Sequence, residues 1–81
     1  MITNRTISIT ASTVIDNAVI ANHGAIIDVE TNDISFYCTQ VDKLACKMHR
    51  DAVRADQAEF EDFAYGVQED VKSAQHIYEN E

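Results

Sequence analysis

The chain changes character near residue 39, and that change limits the folds open to it. Eight of its nine isoleucines precede this point, while the sole leucine, Leu44, follows it among Ala, Lys, Glu, Asp and Gln. β-Branched residues favour strands, and the later set favours helix. With no proline and two glycines, the chain has no linker composition that would separate the two parts. No internal repeat is present. The expectation is one domain over 1–81, an α+β fold in which a small antiparallel sheet of three or four strands packs against two C-terminal helices.

The strands are read from period-two alternation. Ile7 and Ile9 alternate with Thr6, Ser8 and Thr10. A hairpin is predicted over 25–38, turning at Asn32-Asp33. A two-residue loop there pairs Val29 with Phe36 and Ile27 with Cys38. It places the apolar side chains on one face, with Asp28, Ser35 and Tyr37 on the other.

Residues 12–24 admit two readings. In one, Thr13 caps a short helix over 14–22, Asp16 stands at N3 and Gly24 stops it. In the other, the stretch is strand, with turns at Asp16-Asn17 and Asn22-His23-Gly24. The strand reading puts Ile7 and Ile9 on the face of Ile26 and Asp28 rather than that of Ile27 and Val29, unless a bulge intervenes. Consistency of the faces favours the helix.

The later half reads as two helices, about 40–55 and 57–79, with one continuous helix as the alternative. Thr39 with Asp42 at N3 signals the first start, and Asp56 with Glu59 the second. Val41, Leu44, Ala45, Met48, Ala52 and Ala55 form the first apolar stripe. The second runs through Phe60, Phe63, Ala64, Val67, Val71, Ala74, Ile77 and Tyr78. Gly66 lies inside the second helix at a cost of roughly 1 kcal/mol, which suggests a close contact between helix and sheet.

Charge narrows the range of partners. Fourteen acids face six bases, for a net charge of −8. Such a chain repels nucleic acid and anionic membrane and is drawn to basic surfaces. The charge is segregated. Residues 40–55 hold Lys43, Lys47, Arg50 and Arg54 against two acids, while residues 56–81 hold eight acids against Lys72.

Lys43, Lys47, Arg50 and Arg54 recur at i, i+4, i+7 and i+11, a stripe along one helix face. It suits phosphate or an acidic partner, unless Asp51 and the neighbouring acidic helix neutralise it. Asp56, Glu59, Glu61, Asp62, Glu69 and Asp70 surround the first four turns of the last helix. Carboxylates spaced along a rigid helix imitate a phosphate backbone and compete for a Lys/Arg-lined channel. Tyr65, an amphipathic aromatic beside them, is the candidate anchor.

Other chemistry has little support. Cys38 and Cys46 form no disulfide framework and read as reduced thiols. Cys46 and His49 are one helical turn apart, but a zinc site needs further ligands, and His23 and His76 lie far along the chain. No phosphate-cradling glycine loop, GxSxG or HExxH occurs. Neither enzymatic activity nor a cofactor nor a metal is expected. The first residues lack the basic flank and apolar block of a signal peptide, and no apolar run spans a bilayer. A cytoplasmic location is therefore expected.

The 25–38 hairpin and the Asp56–Asp70 acid cluster, together about half the chain, resemble in general character the small phage-encoded inhibitors of bacterial defence. These are the anti-CRISPR and anti-restriction proteins, several of which act as nucleic-acid mimics. The resemblance implies an inhibitor in the cytoplasm of a bacterial host, acting on a CRISPR complex or restriction enzyme. It rests on no shared motif. The alternative expectation is a self-associating structural or regulatory protein whose basic stripe meets the acidic helix of another copy.

Overall fold

The computed structural model describes the backbone of residues 5–79 and the side chains of residues 5–74. Strands β1 (Thr6–Ile15), β2 (Ala18–Asp28) and β3 (Ile34–Gln40) form an antiparallel meander with β2 in the centre. Helices α1 (Lys43–Met48) and α2 (Arg50–Glu79) follow. The expected α+β class stands, with three strands.

Residues 12–24 are strand, not the short helix over 14–22. Asp16 and Asn17 form the β1–β2 turn with positive φ values of 51° and 67°. Two successive left-handed residues suit the twist of a tight hairpin, and Asp and Asn tolerate them. The conflict between faces is resolved by a bulge. Thr13 pairs with Ala21 but Val14 with Val19, which leaves Ile20 as an extra residue in β2. Ile20 and Ala21 are consequently both buried. No turn forms at Asn22-His23-Gly24, because all three residues continue the β2 ladder.

The second hairpin is displaced by four residues from its expected register. Ile27 pairs with Ile34 and Ala25 with Phe36, while Cys38 faces His23. The cause is the Asp28 carboxylate, which accepts from the N–H groups of Glu30 (2.8 Å) and Thr31 (3.0 Å). This local turn draws residues 29–33 out of the ladder, and Asn32 N–H closes it on the Asp28 carbonyl at 2.9 Å. An even displacement preserves the faces, so Ile27 still points inward and Tyr37 outward.

Asp42, not Thr39, caps α1, its carboxylate accepting from Ala45 N–H at 3.0 Å. Thr39 and Gln40 remain in β3. The helices part at His49 rather than at Asp56-Gln57, through which α2 runs unbroken. Of the expected apolar face of the first helix, Ala45 packs against the core but the larger side chains do not. Cys46 is buried, whereas Val41, Leu44 and Met48 are 54%, 68% and 71% exposed. The Cys46 thiol donates to the Ile20 carbonyl at 3.1 Å, and this anchor turns the opposite side of the short helix to solvent.

Two small core clusters join sheet to helix. Ile20, Ala21 and Cys46 form one, with Ile15, Ala45 and Val53 against them. Ala25, Phe60 and Ala64 form the other, with Ile9, Ile34 and Phe36 around them. The alanines let the helix approach the sheet closely. Phe63, expected in the core, is 60% exposed. Of the second stripe, Ile77 and Tyr78 lie outside the described side chains.

The two glycines have opposite roles. Gly24 lies beneath the Tyr37 ring, which occupies the space a Cβ would take. Gly66, expected at a close contact, has nothing within 4 Å of that position. Gly24→Ala is therefore expected to destabilise the fold by about 1–3 kcal/mol, and Gly66→Ala to stabilise it by about 0.5–1 kcal/mol. Urea titration followed by circular dichroism checks both signs, and adding Tyr37→Ala should relieve the cost at Gly24.

The N–H groups of Thr31 and then Glu30 hold the Asp28 carboxyl below its ordinary value of 3.8. A carboxyl lowered in this way stabilises the folded state above its unfolded value and ceases to do so as pH falls through its folded value. Amide-exchange protection at Glu30 and Thr31 is thus expected to hold above pH 3.8 and to decline below it. Asp28→Ala should remove it at every pH.

Candidate functional site

The sheet covers α2 on one side only. Phe60 and Ala64 point into the sheet, and at 100° per residue Asp62 and Glu69 point almost directly away from it. Glu59, Asp62, Glu69 and Asp70 are exposed, whereas Asp56 and Glu61 are half-buried at the flanks of the buried stripe. Asp62 and Glu69 stand two turns apart, about 10 Å along the axis. Among the described residues the one ion pair is Arg5 with Glu30, at 3.9 Å, so none of these six carboxylates is paired. Their negative potential faces solvent.

Tyr65 is partly committed to the fold. Its ring meets Phe36 edge-on at a centroid distance of 5.3 Å, and the residue is 49% exposed. Gln68 on the same flank donates to the Asn32 carbonyl at 2.7 Å, tying α2 to the β2–β3 turn.

The basic stripe forms a concave surface. Lys43 and Lys47 from α1, with Arg50 and Arg54 from α2, line one open groove of about 900 Å³. The end of β3 supplies Thr39 and Gln40 to its wall. The expected internal neutralisation does not occur, since none of the four cations lies within ion-pair distance of a carboxylate among the described residues. Asp51 sits in a neighbouring depression beside Lys47 and Arg50, without reaching either.

A third surface was not legible in the sequence. His23 is 2% exposed and shares a 2.9 Å hydrogen bond between Nε2 and Thr13 Oγ1, while Nδ1 is buried without a partner. Its ring lies 6.1 Å from that of Phe60. With Ala11, Asp56, Glu59 and Phe63 it lines a cleft of about 270 Å³ beside β1. The only sequence signal is that Thr13 and His23 lie on either side of the Asp16-Asn17 turn, and it becomes readable only once the bulge is known. Thr13→Val is expected to leave both ring nitrogens unpartnered and to cost about 1–3 kcal/mol, read as a lowered midpoint of thermal unfolding.

The thiols are set apart by their surroundings. Cys46 is buried on Ile20, while Cys38 is exposed at the rim of the basic groove. Desolvation, and then the neighbouring Cys46, push the Cys38 thiol above its ordinary value, which disfavours the reactive thiolate. Among the described residues no three His, Cys, Asp or Glu side chains are grouped to hold a metal ion, and the His76 side chain lies outside them. No described helix is long and apolar enough to cross a membrane.

Compared with protein-family models, curated proteins and solved structures, the chain matches none.

Proposed function

We propose that this chain is a non-enzymatic inhibitor that binds a basic, nucleic-acid-handling protein through the outer face of α2. A defence effector such as a CRISPR complex or restriction enzyme is the class of target. The observation that carries the reading is the outward, unpaired set Glu59, Asp62, Glu69 and Asp70 on one 30-residue helix. A helix of that length extends about 45 Å and holds its carboxylates in place before a partner arrives. A channel built to hold phosphates meets a preorganised row of anions and loses little entropy in accepting it. Tyr65 leaves half its surface open at the edge of this face and serves as the anchor. Asp56 and Glu61 contribute from the flanks.

The test uses the tagged chain and a nuclease-treated bacterial lysate washed at two salt concentrations. A nucleic-acid-binding protein should be retained at low salt, released at high salt and displaced by added DNA. Replacing Glu59, Glu61, Asp62, Glu69 and Asp70 by lysine should abolish retention while circular dichroism stays unchanged. Retention of the same protein by that folded variant rejects the reading.

One observation favours a second reading. The same molecule carries unpaired acids on α2 and four unpaired bases in the groove, a combination that suits head-to-tail self-association. It requires a species larger than the monomer in sedimentation velocity at low salt, dissolving as salt is raised. A monomer at both salts removes it.

A further inference from the structure

We propose that the groove between the end of β3 and the two helices binds the phosphodiester backbone of single-stranded nucleic acid. The inference is independent of the acidic helix. Four of the six bases in a chain of net charge −8 converge on this one concavity. No carboxylate lines it, and none of the four cations is ion-paired among the described residues. Asp42 caps α1 by accepting from Ala45 N–H, and Asp51 lies in the neighbouring depression without forming an ion pair. Like charges gathered without internal compensation repel one another, and an anion relieves that repulsion.

The lining identifies the anion. Arg50 and Arg54 offer planar forks that match phosphate oxygens, and Lys43 and Lys47 add point charges. Thr39 and Gln57 supply neutral hydrogen-bonding groups. No aromatic ring lines the groove, so bases find no stacking platform and recognition is confined to the backbone. Duplex DNA is stiff over about 50 nm and does not fold into a concavity on a 9.1 kDa domain, whereas a flexible single strand does. An acidic helix from a second copy fits less well. The one aliphatic side chain in the lining, Val53, is already engaged with the Ile20 core and offers a helix no free apolar contact. The carboxylates of α2 oppose binding at long range, but the groove's cations meet the phosphates at contact distance, where the Coulomb attraction is greatest.

Fluorescence anisotropy of a fluorescein-labelled oligothymidylate, titrated with the full chain at low salt, tests the proposal. Binding is expected, with a slope of log affinity against log salt of about −3, which is four phosphate contacts at about 0.7 each. Oligoadenylate should bind equally well. Joint replacement of Lys43, Lys47, Arg50 and Arg54 by alanine should weaken binding about tenfold or more. All four are exposed, and circular dichroism verifies that the fold is retained. Arg50→Lys with Arg54→Lys should keep the salt slope and lose affinity, because the charge stays and the fork goes. Arg5→Ala with Lys72→Ala should bind as the parent does. The proposal is overturned by no rise in anisotropy, by binding that survives the four alanines, by an equal loss in the Arg5/Lys72 variant, or by a strong base preference. It is also overturned if the four alanines only dissolve a self-associated species that never binds the oligonucleotide.

Discussion

One carbonyl group fixes where the helical half leaves the sheet. At the bulge in β2, the Ile20 C=O accepts from Val41 N–H at 2.9 Å, Asp42 N–H at 3.1 Å and the Cys46 thiol at 3.1 Å. A buried backbone acceptor left unpaired would be costly, and here the entry to α1 satisfies it. The same extra residue brings Ile20 and Ala21 together into the core, so one local irregularity provides both a hydrophobic cluster and the attachment point for the helices. α1 is positioned from there, and α2 is held further along by Phe60 and Ala64 against Ala25 and by Gln68 on the Asn32 carbonyl.

A three-stranded sheet with helices on one side has room for one core layer, and this chain fills it with small residues. Ala25 and Ala64 are fully buried where α2 crosses the sheet, and Phe60 fills the space between them and its neighbours. Close approach gains dispersion contacts but leaves few large side chains inside. The remainder of α2 projects charge outward. On the opposite face of the sheet, Tyr37 covers Gly24, and serines and threonines alternate with the exposed side chains of Val14, Val19 and Ile26. The fold therefore presents surfaces of distinct character: an acidic helix ridge, a basic concavity and a sheet face of mixed hydroxyl and apolar side chains.

Charge segregation is the property on which the functional readings rest. With 14 acids and six bases in the chain, the described side chains form one ion pair, Arg5 with Glu30. Surface pairs contribute little to stability, so unpaired charges cost the fold little and stay open to partners. Acids on a rigid convex helix and bases in a concave groove select different partners. The ridge fits a channel lined by cations, and the groove fits a strand of anions.

Much of this was legible in the chain itself. The period of two in Thr6–Thr10, the inward and outward faces of the second hairpin, the helical later half and both charged segments follow from residue types and spacing, because they depend on neighbours close in sequence. The Asp16-Asn17 turn is one of two outcomes the sequence allows, and the hairpin it closes fits the rest of the sheet only with Ile20 as the extra residue of a bulge. The second hairpin departs from its expected register because the Asp28 carboxylate, at the strand end, builds a longer turn in which Asn32 is left-handed. What the amino-acid order determined by itself was the α+β class, the faces of the hairpin and the separation of acid from base. What only the tertiary structure decided was where the helices part, which side of α1 is buried, and that Lys43, Lys47, Arg50 and Arg54 meet around one groove. Those features depend on the Ile20 carbonyl and Cys46, 26 residues apart, reaching one another. No local pattern encodes a contact across that distance.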